Sequence, residues 1–294
     1  MLFQRLSKMG VRMKKIFPVH YVLGLAGVAL IRNWLAGGDA AGACADELVR
    51  VTNAYRENAA LRFELDIPDM AAESGYELWA DTYDDLHNPL IAIEQPAIER
   101  LLDGIPPGRA LDAACGTGRY TGCLLRRGHQ VSAVDASAKM LEKARTSMPD
   151  ADFRVGQLEA LPYANAGFDL VTCGLALTHL PRLNPAISEI SRVLKPGGMA
   201  ILSDHHPVAG FLGGSAIFQD ADGRYRNVTS YVHNISEYVS AFREAGLRVC
   251  ECLEPVLSED AFARGPLYPI SPESYRRGAA GMPMALIWSL QREA

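Results

Sequence analysis

From about Pro106 onward, short apolar runs alternate with stretches whose apolar residues recur every three or four positions. Arg109 to Ala114, Gln130 to Val134, Ala151 to Val155, Phe168 to Cys173 and Met199 to Ser203 read as strands. Arg119 to Arg127, Ser137 to Ser147 and Asn184 to Leu194 read as helices. Nearly continuous apolar strands separated by helices predict a mostly parallel, doubly wound α/β sheet with helices on both faces. The last third changes character. Ala216 to Gln219 and Arg224 to Val232 flank an Asp-Gly turn and predict a β-hairpin cap. Ser236 to Ala245 reads as a helix ended by Gly246, with Leu247 to Leu253 and Met284 to Leu290 as final strands.

The N-terminal residues follow another pattern. Residues 1–15 carry Arg5, Lys8, Arg12, Lys14 and Lys15 and no acid, and an apolar run follows from Ile16 to Ile31. That run is shorter than the roughly 20 residues that span a bilayer comfortably. A packing helix, a peripheral membrane contact through residues 1–35, and a cleaved or wrongly started segment all suit it. The small residues from Ala36 to Ala45 read as a linker, and Asp46 to Leu65 as a helix ended by Pro68. These features set a boundary near residue 69, with a helical N-terminal extension over 1–69 and the main domain over 70–294.

Composition narrows the chemistry. With 49% hydrophobic and 21% charged residues, the 294-residue chain is ordinary globular protein. A net charge of -5 supplies no basic field for a polyanion, which argues against nucleic acid as a partner. Six scattered cysteines form no CxxC pair and no zinc spacing, so they read as reduced thiols of a cytoplasmic protein, with no metal site. Asn227-Val-Thr229 and Asn234-Ile-Ser236 match the glycosylation pattern and are read as chance.

The segment Leu111-Asp112-Ala113-Ala114-Cys115-Gly116-Thr117-Gly118-Arg119 joins a strand to a helix. Its glycines let the backbone approach a ligand, as in any Rossmann-type nucleotide site. Two residues narrow the ligand. Asp112 would repel the pyrophosphate of a dinucleotide and attract the ammonium and sulfonium of S-adenosylmethionine (SAM). Thr121 also stands where the dinucleotide fingerprint has Gly or Ala. Asp135, at the end of the next strand, is placed to accept hydrogen bonds from both hydroxyls of a ribose; capping the following helix is its other reading.

LDAACGTGR, VDASAKML, GQLEALPYANAGFDLV and SRVLKPGG, in that order, resemble the class I SAM-dependent methyltransferases of the ubiquinone-biosynthesis-like type. The likeness runs from about Tyr76 to Leu253. It implies a Rossmann-like, seven-stranded sheet with a final antiparallel strand, SAM as cofactor, and methyl transfer. It further implies that Asp112, Gly116 and Gly118 hold the methionine part, with Ala114 in the same cofactor-binding loop, and Asp135 the ribose. By the same likeness, Ala136 and Met140 pack on the adenine face, Gln157 and Leu158 flank its edge, and Gly174 or Leu175 line the methionine side. Ala114 and Gln157 depart from the family's usual Gly and Asp. The segment Glu77 to Asp84 resembles the family's N-terminal helix, with Tyr83 at the methionine end.

Methyl transfer needs a base only when the acceptor must lose a proton. His179 and His206 follow strand ends and His233 follows the hairpin, which makes them the candidate bases; capping or orienting backbone is the competing reading. The expected function is methylation of a small, partly apolar molecule at oxygen or carbon. The alternatives are a SAM-binding protein of the same fold that transfers no methyl group, and a nicotinamide oxidoreductase, which Asp112 and Thr121 argue against. An oligomer is left open.

Overall fold

The computed structural model describes residues 13–34, 39–58, 62, 64–85, 88–256 and 268–294. The chain forms two compact units, Met1–Asp69 with Val256–Pro283, and Met70–Pro255 with Met284–Ala294. The first of these units breaks off after Asp69 and resumes at Val256. Unlike the expected continuous domain over 70–294, however, residues 256–283 group with the N-terminal unit.

In the N-terminal unit, β1 (Met13–Ile16) pairs antiparallel with β2 (Leu65–Met70), Ile16 opposite Leu65. The apolar run becomes α1 (Pro18–Asn33), opened by a proline that suits the first helical position. Val19, Val22, Leu25, Ala26 and Ala29 are buried at three-to-four spacing, so the run is used for packing. No helix among the described residues is long and apolar enough to cross a membrane. The residues read as a linker are helical from Asp39, in α2 (Asp39–Glu57), as their alanines favour; residues 35–38 lie outside the described part. The segment 268–283 packs on these helices. A Cβ at Gly278 would lie 2.5 Å from the Leu25 carbonyl oxygen, so only glycine allows that approach. Buried Glu47 accepts from the backbone N–H of Glu273 (3.0 Å) and Ser274 (2.6 Å), anchoring the turn that begins there.

The second unit runs α3 (Ala72–Trp79), α4 (Pro89–Asp103), β3 (Arg109–Ala113), α5 (Arg119–Arg126), β4 (Gln130–Asp135), α6 (Ala138–Ser147), β5 (Asp152–Val155) and β6 (Phe168–Gly174). It continues through α7 (Asn184–Val193), β7 (Leu194–His205), α8 (Pro207–Phe211), β8 (Ala216–Gln219), β9 (Tyr225–Val228), α9 (Ile235–Glu244), β10 (Leu247–Leu253) and β11 (Ala285–Arg292). The seven-stranded sheet has the order β10-β11-β7-β6-β3-β4-β5. β11 runs antiparallel to both of its neighbours, inserted between β10 and β7. The Rossmann-like doubly wound fold expected from the sequence is therefore the fold of this unit.

Adjacent strand residues serve opposite cores. Leu111, Val171, Leu202 and Trp288 face Ile187, Ile190, Tyr238 and Phe242 of α7 and α9. Their chain neighbours Ala110, Leu170, Ile201 and Ile287 face Ile98 and Leu102 of α4 and Tyr120 and Leu124 of α5. β8 and β9 form the expected hairpin, with Asp220 accepting from Asp222 N and Arg224 N at 3.1 and 2.9 Å to fix the turn. Phe218 of β8 stacks on Trp79 of α3 at 4.6 Å.

Candidate functional site

Strands β3, β4 and β6 end at one place, where the chain order reverses from β3–β4–β5 on one side to β6–β7 on the other. Open α/β sheets bind ligands at such reversals, outside the carboxyl ends of the strands. A cavity of about 280 Å³ lies there, floored by the loop after β3.

The loop holds left-handed backbone at Ala114 (φ 56°), Gly116 (φ 56°) and Gly118 (φ 91°). Ala114 takes the conformation that the family's usual glycine takes freely, at a cost of about 1–2 kcal/mol for an L-residue. Leu175, after β6, is held likewise at φ 56°, so both strained residues line the cavity. A Cβ at Gly116 would meet nothing within 4 Å, so its backbone faces open space.

Asp135 is the hub. Its Oδ2 accepts from Gly116 N and its Oδ1 from Ser137 N, both at 2.8 Å. Burial pushes its pKa up, against the pull of these backbone N–H groups. A carboxylate has about four acceptor positions, so Asp135, which lines the cavity, keeps acceptor capacity beyond these bonds. The helix cap weighed for Asp135 belongs instead to Ser137, whose Oγ accepts from Met140 N at 3.2 Å. Ser137 Oγ also donates to Glu77 Oε2 at 2.5 Å, joining α3 to the start of α6.

A fixed cation stands in the same cavity. Arg119 Nη1 donates to Glu94 Oε2 at 2.7 Å, and its guanidinium lies 4.0 Å over the Tyr120 ring. Burial opposes that charge, but Tyr120 and Glu94 outweigh it and raise the Arg119 pKa. Fully buried Glu94 also accepts from the hydroxyls of Tyr120 and Ser203. Gly174 makes room for this cluster, since a Cβ there would strike the Tyr120 ring at 2.3 Å.

Tyr83, Ala114, Gly116, Asp135, Ala136, Gln157, Leu158, Gly174, Leu175 and His179 all line the cavity. Asp112, Gly118, Met140, His206 and His233 do not. Asp112 is buried beneath the loop, accepting from Thr121 Oγ1 at 2.7 Å and Thr172 Oγ1 at 3.0 Å, and burial raises its pKa to about 6. Gly118 faces Met148, whose Cε would be 2.1 Å from an added Cβ. Met140 is wholly buried in α6. His206 is buried and bonded to Glu254 Oε1 (2.9 Å), while its Nδ1 accepts from Val208 N. His233 Nε2 donates to the Leu180 carbonyl at 2.9 Å. Both histidines therefore sit outside the cavity lining, bonded to neighbouring side chain or backbone.

The sequence reading missed Arg119, Tyr76 and Glu94. Arg119 stands directly after the glycine loop, and Tyr76 continues the Trp79–Tyr83 aromatic stripe by one helical turn. Glu94 carried no signal. Among the described residues no cluster of His, Cys, Asp or Glu suits a metal.

Asp204, at the end of β7, accepts from Tyr238 Oη at 2.5 Å and from His205 N at 2.8 Å. Burial raises its pKa to about 7 from 3.8. A carboxyl whose pKa rises on folding adds stability below its unfolded value and loses it as pH climbs through the folded one. Thermal unfolding between about pH 4 and 7 should therefore show a decline, contributed by Asp204 at up to about 1.4 kcal/mol per pH unit. Asp204→Asn should flatten it, and an unchanged slope would remove Asp204 as its source.

Residues 111–202 match the family described as a methyltransferase domain. The chain is 39% identical over 120 residues to the malonyl-[acyl-carrier protein] O-methyltransferase of Erwinia pyrifoliae, covering 40% of this chain and 46% of that protein. The chain thus spans about half the length of the curated relatives it matches. A SAM-dependent methyltransferase from Mesorhizobium loti superposes with TM-score 0.54 at 23% identity, over 70% of this chain and 100% of that one. The [4+2]-cyclase SpnF superposes with TM-score 0.56 at 19% identity, over 78% of this chain and 99% of that one. Residues 111–202 thus carry a methyltransferase domain, and the chain is similar to methyltransferases of the class that uses SAM as its cofactor.

Proposed function

We propose that this chain transfers a methyl group from SAM to a small, partly apolar molecule at oxygen or carbon. The observation that carries the reading is Asp135, a carboxylate with spare acceptor capacity in the same cavity as the Arg119 cation. When bound, SAM supplies an electrophilic methyl group on a sulfonium. Asp135 accepts from the two ribose hydroxyls, and Arg119 pairs with the carboxylate of the amino-acid part. Ala136 and Leu158 flank the adenine, and the Gln157 amide reaches its edge without charge assistance. Gly116 brings backbone close, and Gly174 and Leu175 line the methionine side. Asp112 acts on the cofactor's positive charge through the loop rather than by contact. Tyr76, Tyr83, Leu180 and Pro181 give the cavity the mixed aromatic and aliphatic wall that an apolar acceptor requires.

The test is calorimetric titration with SAM, its demethylated product and NADH, followed by transfer of labelled methyl groups to a panel of small phenols, enols and carboxylic acids. Micromolar binding of SAM and product, no binding of NADH, and label on an acceptor are expected. Binding without label on any acceptor would favour a non-methylating role on this fold, since fold does not fix reaction. No binding at all would overturn the cofactor site.

A further inference from the structure

The cavity holds a hydrogen-bonded chain that cofactor binding does not use. His179 Nδ1 lies 2.9 Å from the Thr229 carbonyl oxygen, and His179 Nε2 lies 2.9 Å from Tyr76 Oη. A carbonyl only accepts, so Nδ1 carries the hydrogen, and Nε2 is left with a lone pair that receives the Tyr76 O–H. Both rings line the cavity, with their centroids 5.3 Å apart edge to face. The donor at Nδ1 fixes the tautomer, and α3 fixes the phenol.

We propose that Tyr76 and His179 act as one proton acceptor, which specialises the site for acceptors whose hydroxyl is still protonated at neutral pH, a phenol or an enol. This inference rests on the methyl-transfer reading above. In the step, the acceptor oxygen forms its bond to the methyl carbon as the carbon–sulfur bond breaks, with its electron pair staying on sulfur. The acceptor's proton passes to Tyr76 Oη while the proton of Tyr76 passes to His179 Nε2. The positive charge lost from sulfur reappears on the imidazolium, whose Nδ1–H still points at the Thr229 carbonyl; water later takes the proton. Tyr76 is the catalytic residue, because it meets the acceptor, and His179 is the positioning residue that receives the proton through it. Burial keeps the Tyr76 phenol protonated and lowers the His179 pKa, so the pair begins neutral with Nε2 free to accept. A carboxylic acid, already ionised, gains nothing from the pair.

The experiment compares wild type with Tyr76→Phe, with His179→Asn, which keeps an N–H for Thr229 but loses Nε2, and with the double variant. Catechol and 1,4-hydroquinone serve as phenolic acceptors and hexanoate as a carboxylate, with SAM saturating. Calorimetry follows the demethylated product of SAM, and nitrogen NMR of labelled imidazoles in the wild-type chain reports the His179 tautomer. Each single variant should lower kcat for the phenols about 100-fold, within the range of general base catalysis. The double variant should fall no further, because the residues act as a unit. Product affinity should stay within about twofold, because neither residue is assigned a cofactor contact. The spectrum should show neutral His179 with hydrogen on Nδ1. Retained phenol turnover in the single variants, multiplied losses in the double, a hydrogen on Nε2, or no phenol turnover by a wild type that binds SAM would each overturn the inference alone. A wild type that binds neither SAM nor its product would overturn the methyl-transfer reading, and the inference with it.

Discussion

Glu94→Ala should lower the unfolding free energy by about 3–5 kcal/mol, the cost of removing one partner from a buried ion pair. The substitution leaves the Arg119 guanidinium without its carboxylate and the hydroxyls of Tyr120 and Ser203 without their acceptor. At roughly 2–4 °C per kcal/mol for a chain of this size, the midpoint should fall by about 10 °C. Thermal unfolding followed by circular dichroism reads it directly. Glu94→Gln keeps an acceptor for the hydroxyls but not the charge, and should lose less. Equal losses would mean that the ion pair contributes nothing beyond hydrogen bonding, and a loss below about 1 kcal/mol would show the cluster to be dispensable.

Asp135→Ala should weaken binding of the demethylated SAM product by about 100-fold or more. Hydrogen bonds to a charged group contribute about 1.5–3 kcal/mol each, and the two to the ribose disappear together. At 1.4 kcal/mol per decade the sum exceeds two decades. The loop also loosens, because Asp135 holds Gly116 N and Ser137 N. Calorimetric titration of wild type and variant at one salt concentration measures it. Affinity within threefold of wild type would remove Asp135 from the cofactor site.

Much of this arrangement is legible before folding because it is local. The loop from Ala114 to Gly118, Asp135 at a strand end and Gln157 after the next strand each sit at a fixed offset from an apolar run, and a periodic pattern carries them to the same edge of the sheet. What escaped the reading is set by contacts far apart in sequence. The helix that carries Glu94, α4, has Pro96 in its middle, a residue that ordinarily interrupts a helix. Glu94 meets Ser203 across 109 positions, and no local pattern records that. Asp112 and Met140 lie outside the cavity lining for the opposite reason. Their motif positions are shared with residues that touch the cavity, but the pleat of β3 and the turn of α6 aim them inward. The grouping of residues 256–283 with the first helices was equally invisible, since it depends on one bare backbone approach at Gly278 and on Glu47 receiving a distant turn.

The position of β11 has a consequence for how the chain is made. Residues 285–292 come last of the described elements, yet they lie between β10 and β7 as an interior strand. A growing chain therefore carries β7 with a bare edge, and β10 with no neighbour, until residues 285–292 leave the ribosome. Translation at roughly 5–20 residues per second leaves several seconds between the completion of β7 and that of β11. During that interval the exposed row of backbone groups on β7 is open to strands of other chains. A nascent chain arrested before Ala285 should thus be both the form most prone to aggregate and the one most readily taken by chaperones.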